Sequence, residues 1–85
     1  MQRSEIESRV KQVIARVLNL KPAEIAAEAN FVFDLGADSM QSLQLVAAFE
    51  EEFGIEMDQE AALVVQNVDA AVDFIRKILE HKGKP

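Results

Sequence analysis

The chain has no cysteine, tryptophan or tyrosine, a single histidine, three glycines and two prolines in 85 residues. Without cysteine, neither a disulfide nor a thiolate zinc site can staple so small a domain, and packing alone must hold it. The composition permits this, because Ala, Val, Ile and Leu dominate and five Phe supplement them. No apolar run approaches membrane-spanning length, so a soluble, cytoplasmic protein without membrane insertion is expected. Positive charge is missing over a long interval: from Pro22 to Ile75 there is no Lys or Arg, while twelve Asp and Glu fall there. The nine bases lie at Arg3, Arg9, Lys11, Arg16 and Lys21 on one side and at Arg76, Lys77, Lys82 and Lys84 on the other. A net charge of −6 argues against nucleic acid and anionic membrane as partners. The acidic interval reads either as a solvated surface or as a docking face for basic patches on other proteins.

What is present is helical periodicity. Ser4 and Glu7 fit a capping box, and Ile6, Val10, Val13, Ile14 and Val17 follow at helical spacing. A first helix is expected over about 5–18, closed by Pro22. Residues 19–38 form a long loop with Ile25, Phe31, Val32 and Leu35 as apolar anchors, a possible helical turn over 23–27, and Gly36 where the backbone needs an unusual angle. A second helix is expected over about 39–53, starting at Asp38 or Ser39 and ending at Phe53, with Gly54 as the stop. A short third helix is expected over about 59–65 behind Asp58, with Leu63 or Val64 exposed. A fourth runs over about 68–80, capped by Asn67 or Asp69, with Val68, Ala71, Val72, Ile75 and Leu79 inward. Residues 81–85 read as a frayed tail. There are no strand patterns and no internal repeat, so the expectation is one all-α domain, residues 1–85, built as a four-helix bundle.

The second helix has two apolar stripes. Leu45, Val46, Phe49 and Phe53 share one arc of about 100°, the core face. Met40, Leu43 and Ala47 fall on another, flanked by Glu50 and Glu51. That second stripe is either a partner-binding surface or packing for the preceding loop.

Chemistry concentrates at the start of this helix. Ser39 places a hydroxyl at a helix N-terminus, where unpaired N–H groups and the dipole favour a phosphate. It has no partners for catalysis: the only histidine is His81, in the expected tail, and no Gly-x-Ser-x-Gly elbow exists. Glu50, Glu51 and Glu52 diverge around the helix and do not converge on a metal ion. There is no calcium loop, Walker loop or dinucleotide fingerprint. An exposed serine without a base is better suited to being the substrate of another enzyme, esterified by phosphate or a phosphodiester, than to being a nucleophile.

The segment Phe31-Val32-Phe33-Asp34-Leu35-Gly36-Ala37-Asp38-Ser39-Met40 is similar to the attachment segment of acyl carrier proteins, Asp-Leu-Gly-x-Asp-Ser-Leu. The likeness continues through Leu45-Val46, Phe49 to Glu56, and Val68 to Ile75, nearly the whole chain. The resemblance implies a four-helix bundle with a short third helix, acting as a non-catalytic monomeric carrier. Ser39, flanked by Asp38 and Met40, would receive 4′-phosphopantetheine from coenzyme A through a phosphopantetheinyl transferase. Acyl groups would ride on the arm as thioesters to enzymes of fatty-acid, lipid or related biosynthesis that carry basic docking patches. It implies a partner face of Met40, Leu43, Gln44, Ala47, Glu50 and Glu51, and an acyl pocket among Leu45, Val46, Phe49, Ala62, Val65 and Phe74. Three features depart from the pattern: Met40 in place of Leu, Gln41 and Gln44 where acids are usual, and an apolar third helix with Ala61, Leu63 and Val64. These departures suggest a carrier dedicated to one pathway, or else drift within an ordinary housekeeping carrier. The alternative is an unmodified interaction module with the same fold.

Overall fold

The computed structural model describes residues 2–58 and 65–82. Among them are three α-helices: α1 (Arg3–Leu18), α2 (Ser39–Phe53) and α3 (Val68–Lys82), with a 3-10 turn at Pro22–Glu24. The described residues contain no strand, only an isolated antiparallel bridge between Asn30 and Asn67. The architecture is therefore all-α. The short helix expected over 59–65 falls almost wholly outside the described residues, so Ala61, Ala62, Leu63 and Val64 are not placed.

Each helix buries the face its periodicity defines. Ile6, Val10, Val13 and Ile14 of α1 meet Leu45, Phe49 and Phe53 of α2 and Val68, Ala71, Val72 and Ile75 of α3 in one core. α1 packs against both other helices. Leu79 is only half-buried at the edge of this core. No buried side-chain polar atom among the described residues lacks a partner. The apolar faces are thus matched without hidden polar cost.

The helix ends show where local signals prevailed and where they did not. α1 begins at Arg3 behind Gln2, which makes no side-chain cap. The expected Ser4–Glu7 capping box is absent. The earlier start brings Arg3 to α3, where its guanidinium meets Asp73 at 2.6 Å and Asp69 at 3.4 Å. Tertiary ion pairs replace the local cap. α1 stops at Asn19 in the left-handed conformation (φ 58°), before Pro22, and Leu20 N–H closes on Ala15 O at 2.8 Å. Pro22 opens the 3-10 turn instead of ending the helix. α2 ends the same way at Gly54 (φ 63°), where Ile55 N–H reaches Glu50 O at 3.1 Å. α3 is capped by Asn67, whose Oδ1 accepts from Ala70 N–H at 2.7 Å, while Asp69 serves Arg3. It runs on to Lys82, so His81 is an exposed helical residue and not part of a frayed tail.

The long connection from Asn19 to Asp38 is tied to the bundle along its length. Val68 N–H donates to Ala29 O, Asp69 N–H to Ala27 O, and Phe31 N–H to Gln66 O. Ile25 and Phe31 are buried and Leu35 is half-buried, but Val32 is exposed, contrary to its expected role as an anchor. Phe31 meets the Phe49 ring at 6.4 Å between centroids.

Candidate functional site

The approach to Ser39 is built on Asn30. Its carboxamide Oδ1 accepts from Val32 N–H and Phe33 N–H, both at 2.9 Å. Its own N–H donates to Asp34 Oδ2 at 2.7 Å, and its carbonyl accepts from Asp34 and Leu35. Gly36 N–H then reaches Val32 O, and Ala37 N–H reaches Phe31 O. The last two closures need the backbone to turn at Gly36 with φ 75°, where a Cβ would meet nothing but the conformation itself is costly for other residues. With Phe31 N–H on Gln66 O and Asp38 N–H on Gln41 Oε1, every backbone N–H from Asn30 to Asp38 has an acceptor. An irregular segment satisfied in this way holds one shape, because leaving it forfeits several bonds together.

That segment delivers the chain into α2 through a full capping box. Asp38 Oδ1 accepts from Gln41 N–H at 2.7 Å, and Gln41 Oε1 accepts from Asp38 N–H at 3.1 Å. Ser39 is the first helical residue and is exposed. At this position a backbone N–H has no intrahelical acceptor, and the helix dipole is positive. Both nearby carboxylates are engaged: Asp38 caps the helix and Asp34 holds the loop. His81, at the far end of α3, forms no charge relay with Ser39; its cleft neighbours are Gly54, Ile55, Glu56 and Ile78. Among the described residues no group of three or more His, Cys, Asp or Glu can hold a metal ion.

The residues expected to form the partner face divide. Met40, Leu43, Gln44, Ala47 and Glu51 are exposed on α2. Glu50 is half-buried, and its Oε2 accepts from Met57 N–H at 2.9 Å. It fastens the segment after α2 and does not project from the face.

The residues expected to form an acyl pocket also divide. Leu45, Phe49 and Val65 are buried in the core, with Val46 and Phe74 half-buried against it. Ala62 lies outside the described residues. A cleft of about 240 Å³ lies between the loop, α2 and the residues leading into α3. It is lined by Phe31, Val32, Phe33 and Val65 with Asn30, Ser42 and Gln66, so Val65 is the one expected pocket residue in it. Asn30, Phe33 and Ser42 were missed as site residues. Asn30 carried a signal, since an Asn followed by Asp four residues later beside a glycine suits a side-chain-closed turn.

The arrangement offers an exposed hydroxyl on a fixed support, an adjoining apolar cleft, and no group to activate the hydroxyl. It fits a covalently attached phosphate-linked arm: the oxygen is accessible and the helix start favours the phosphate. No helix among the described residues is long and apolar enough to cross a membrane. A sequence model of one known family, described as a phosphopantetheine attachment site, matches residues 8–75. That interval takes in most of α1, the hydrogen-bonded loop, all of α2 and the start of α3. The chain belongs to the phosphopantetheine attachment site family, the acyl-carrier-like domains that hold 4′-phosphopantetheine through a covalent bond.

Proposed function

We propose that Ser39 bears the 4′-phosphopantetheine arm and that this single domain carries acyl groups to separate biosynthetic enzymes. The observation that carries the reading is the exposed Ser39 hydroxyl at the first position of α2, with the loop before it fully hydrogen-bonded. In the loading step the Ser39 oxygen would bond to the phosphorus that joins pantetheine to the nucleotide in coenzyme A. The P–O bond to adenosine 3′,5′-bisphosphate breaks, and the transferase accepts the serine proton. The arm, once attached, supplies a terminal thiol that holds acyl groups as thioesters. The chain's own residues bind and present: Asp38 and Gln41 fix the first turn, Gly36 aims it, and Met40, Leu43, Gln44, Ala47 and Glu51 offer a face to partners.

This reading takes the domain as a four-helix bundle. Acyl cargo enters through the cleft beside Val65. Going deeper means parting Leu45 and Phe49, which are closely packed. Each buried methylene is worth about 0.8 kcal/mol, so sequestration depends on chain length. Reversible docking suits a small patch better than a large dry interface. The uncharged Gln41 and Gln44 favour a carrier dedicated to one pathway over one serving bulk fatty-acid synthesis.

The test is intact mass after incubation with coenzyme A and a broad-specificity phosphopantetheinyl transferase, with Ser39→Ala alongside. A gain of one phosphopantetheine, abolished by the substitution, is the expected result. A gain that survives Ser39→Ala moves the arm to another residue. No gain from folded protein favours the unmodified interaction module.

A further inference from the structure

We propose that Phe33 is the anchor by which the transferase that esterifies Ser39 grips this domain, through an apolar socket and not through a basic one. The inference rests on the assignment of the arm to Ser39. The large apolar side chains recorded as exposed among the described residues are Val32 (51%), Phe33 (89%), Met40 (68%) and Leu43 (61%). All four bracket Ser39 in sequence. Scattered exposed apolar residues need no explanation, but a set confined to one site marks a contact surface.

Phe33 stands out within the set. Phe31, two residues earlier, is buried against Phe49, whereas Phe33 is almost wholly in solvent. Its backbone is not free to swing, because its N–H is held by Asn30 Oδ1 and the amides on either side are also engaged. An aromatic ring on a fixed backbone is ready to fill a pocket with little ordering cost. Phe33 and Val32 share the cleft with Ser42 of α2, so the ring belongs to the same end of the molecule as the first turn of that helix.

The surrounding charge selects the kind of socket. From Ser39 to Phe49, α2 has no charged residue. Asp34 and Asp38 already accept backbone N–H groups, and Glu50 is turned toward Met57. Asp34 and Asp38 keep their charge, but each is fixed in place by the backbone N–H it accepts, and an apolar pocket with a neutral polar rim matches Phe33, Met40, Leu43 and the two glutamines. The enzyme that transfers the arm to the Ser39 oxygen must cover this surface, which is why it is the occupant.

The experiment measures steady-state transfer from coenzyme A to the full chain, using a broad-specificity phosphopantetheinyl transferase, for wild type, Phe33→Ala and Phe33→Leu. Phe33→Ala is expected to raise KM about tenfold with kcat unchanged, as for loss of an interface anchor. Phe33→Leu is expected to recover part of the loss. Wild-type KM is expected to change less than about threefold between about 50 and about 500 mM salt, because little charge is screened. A Phe33→Ala KM within about twofold of wild type, or a steep salt dependence, overturns the proposal. Unchanged transfer with faster thioester hydrolysis in acylated Phe33→Ala would assign the ring to cargo and overturn it too. Absence of any transfer to wild type instead defeats the Ser39 assignment, and the anchor falls with it.

Discussion

Asp38 and Gln41 hold each other across the first turn of α2, each side chain accepting the other's backbone N–H, at 2.7 and 3.1 Å. The pair explains one departure from the acyl-carrier pattern, since the third helical position needs an acceptor that both Gln and Glu supply. Asp38→Ala is expected to lower stability by about 1 kcal/mol, and Gln41→Glu to leave it within a few tenths, both read from urea midpoints. A loss in Gln41→Glu equal to that in Asp38→Ala would mean that Glu does not replace the Gln41 acceptor in the cap.

Gln44 is exposed and, unlike Gln41, makes no cap contact. The double change Gln41→Glu with Gln44→Glu adds two charges to a neutral stretch without removing a hydrogen bond. Turnover of the loaded carrier by fatty-acid synthase enzymes is expected to improve, with a steeper dependence on salt. No improvement would remove the charge argument for a dedicated pathway.

Phe49 and Phe33 make a matched pair for separating packing from presentation. Phe49 is completely buried, and Phe49→Ala is expected to cost about 3–5 kcal/mol, which brings so small a domain close to unfolding. Phe33 lies in solvent, and Phe33→Ala is expected to leave the melting temperature unchanged within about 1 °C. A large loss at Phe33 would place that ring in the fold.

The cations of α1 act as counter-charges for the acidic helices. Arg3 reaches Asp69 and Asp73, and Arg9 lies 3.8 Å from Glu52 and over the Phe53 ring at 5.9 Å. These pairs are partly exposed, so Arg3→Ala is expected to cost less than about 1 kcal/mol. The interval from Pro22 to Ile75 contains no base of its own, and its twelve acids far outnumber the three that Arg3 and Arg9 meet. Melting temperature is therefore expected to rise with moderate salt or divalent cation, as screening relieves repulsion. A fall with salt would mean that the few ion pairs outweigh the repulsion.

The core and the two ends of helix 2 were legible in the sequence because they rest on short-range rules. Leu45, Phe49 and Phe53 recur at helical spacing, Asp38 stands before the stretch, and Gly36 and Gly54 sit where positive φ is needed. The role of Glu50 was not legible, since its partner is a backbone N–H seven residues away in a non-helical segment. Phe31, Val32 and Phe33 look alike in sequence, and which of them turns inward depends on the Asn30 carboxamide. The Ser4 cap was well formed on paper and was displaced by ion pairs that Arg3 makes across the bundle to residues near the other end of the chain. Patterns of a few residues settled what only neighbours decide, and distant contacts settled the rest.

The hydrogen-bonded run from Asn30 to Asp38 also bears on delivery. An arm rooted at Ser39, as proposed, would hang from a fixed post, because the backbone leading to that root has no unused donor with which to rearrange. The free end then samples a volume whose centre does not wander. Its effective concentration at a docked enzyme's active site is set by tether length and by the distance from root to site, with no further dilution from motion of the loop.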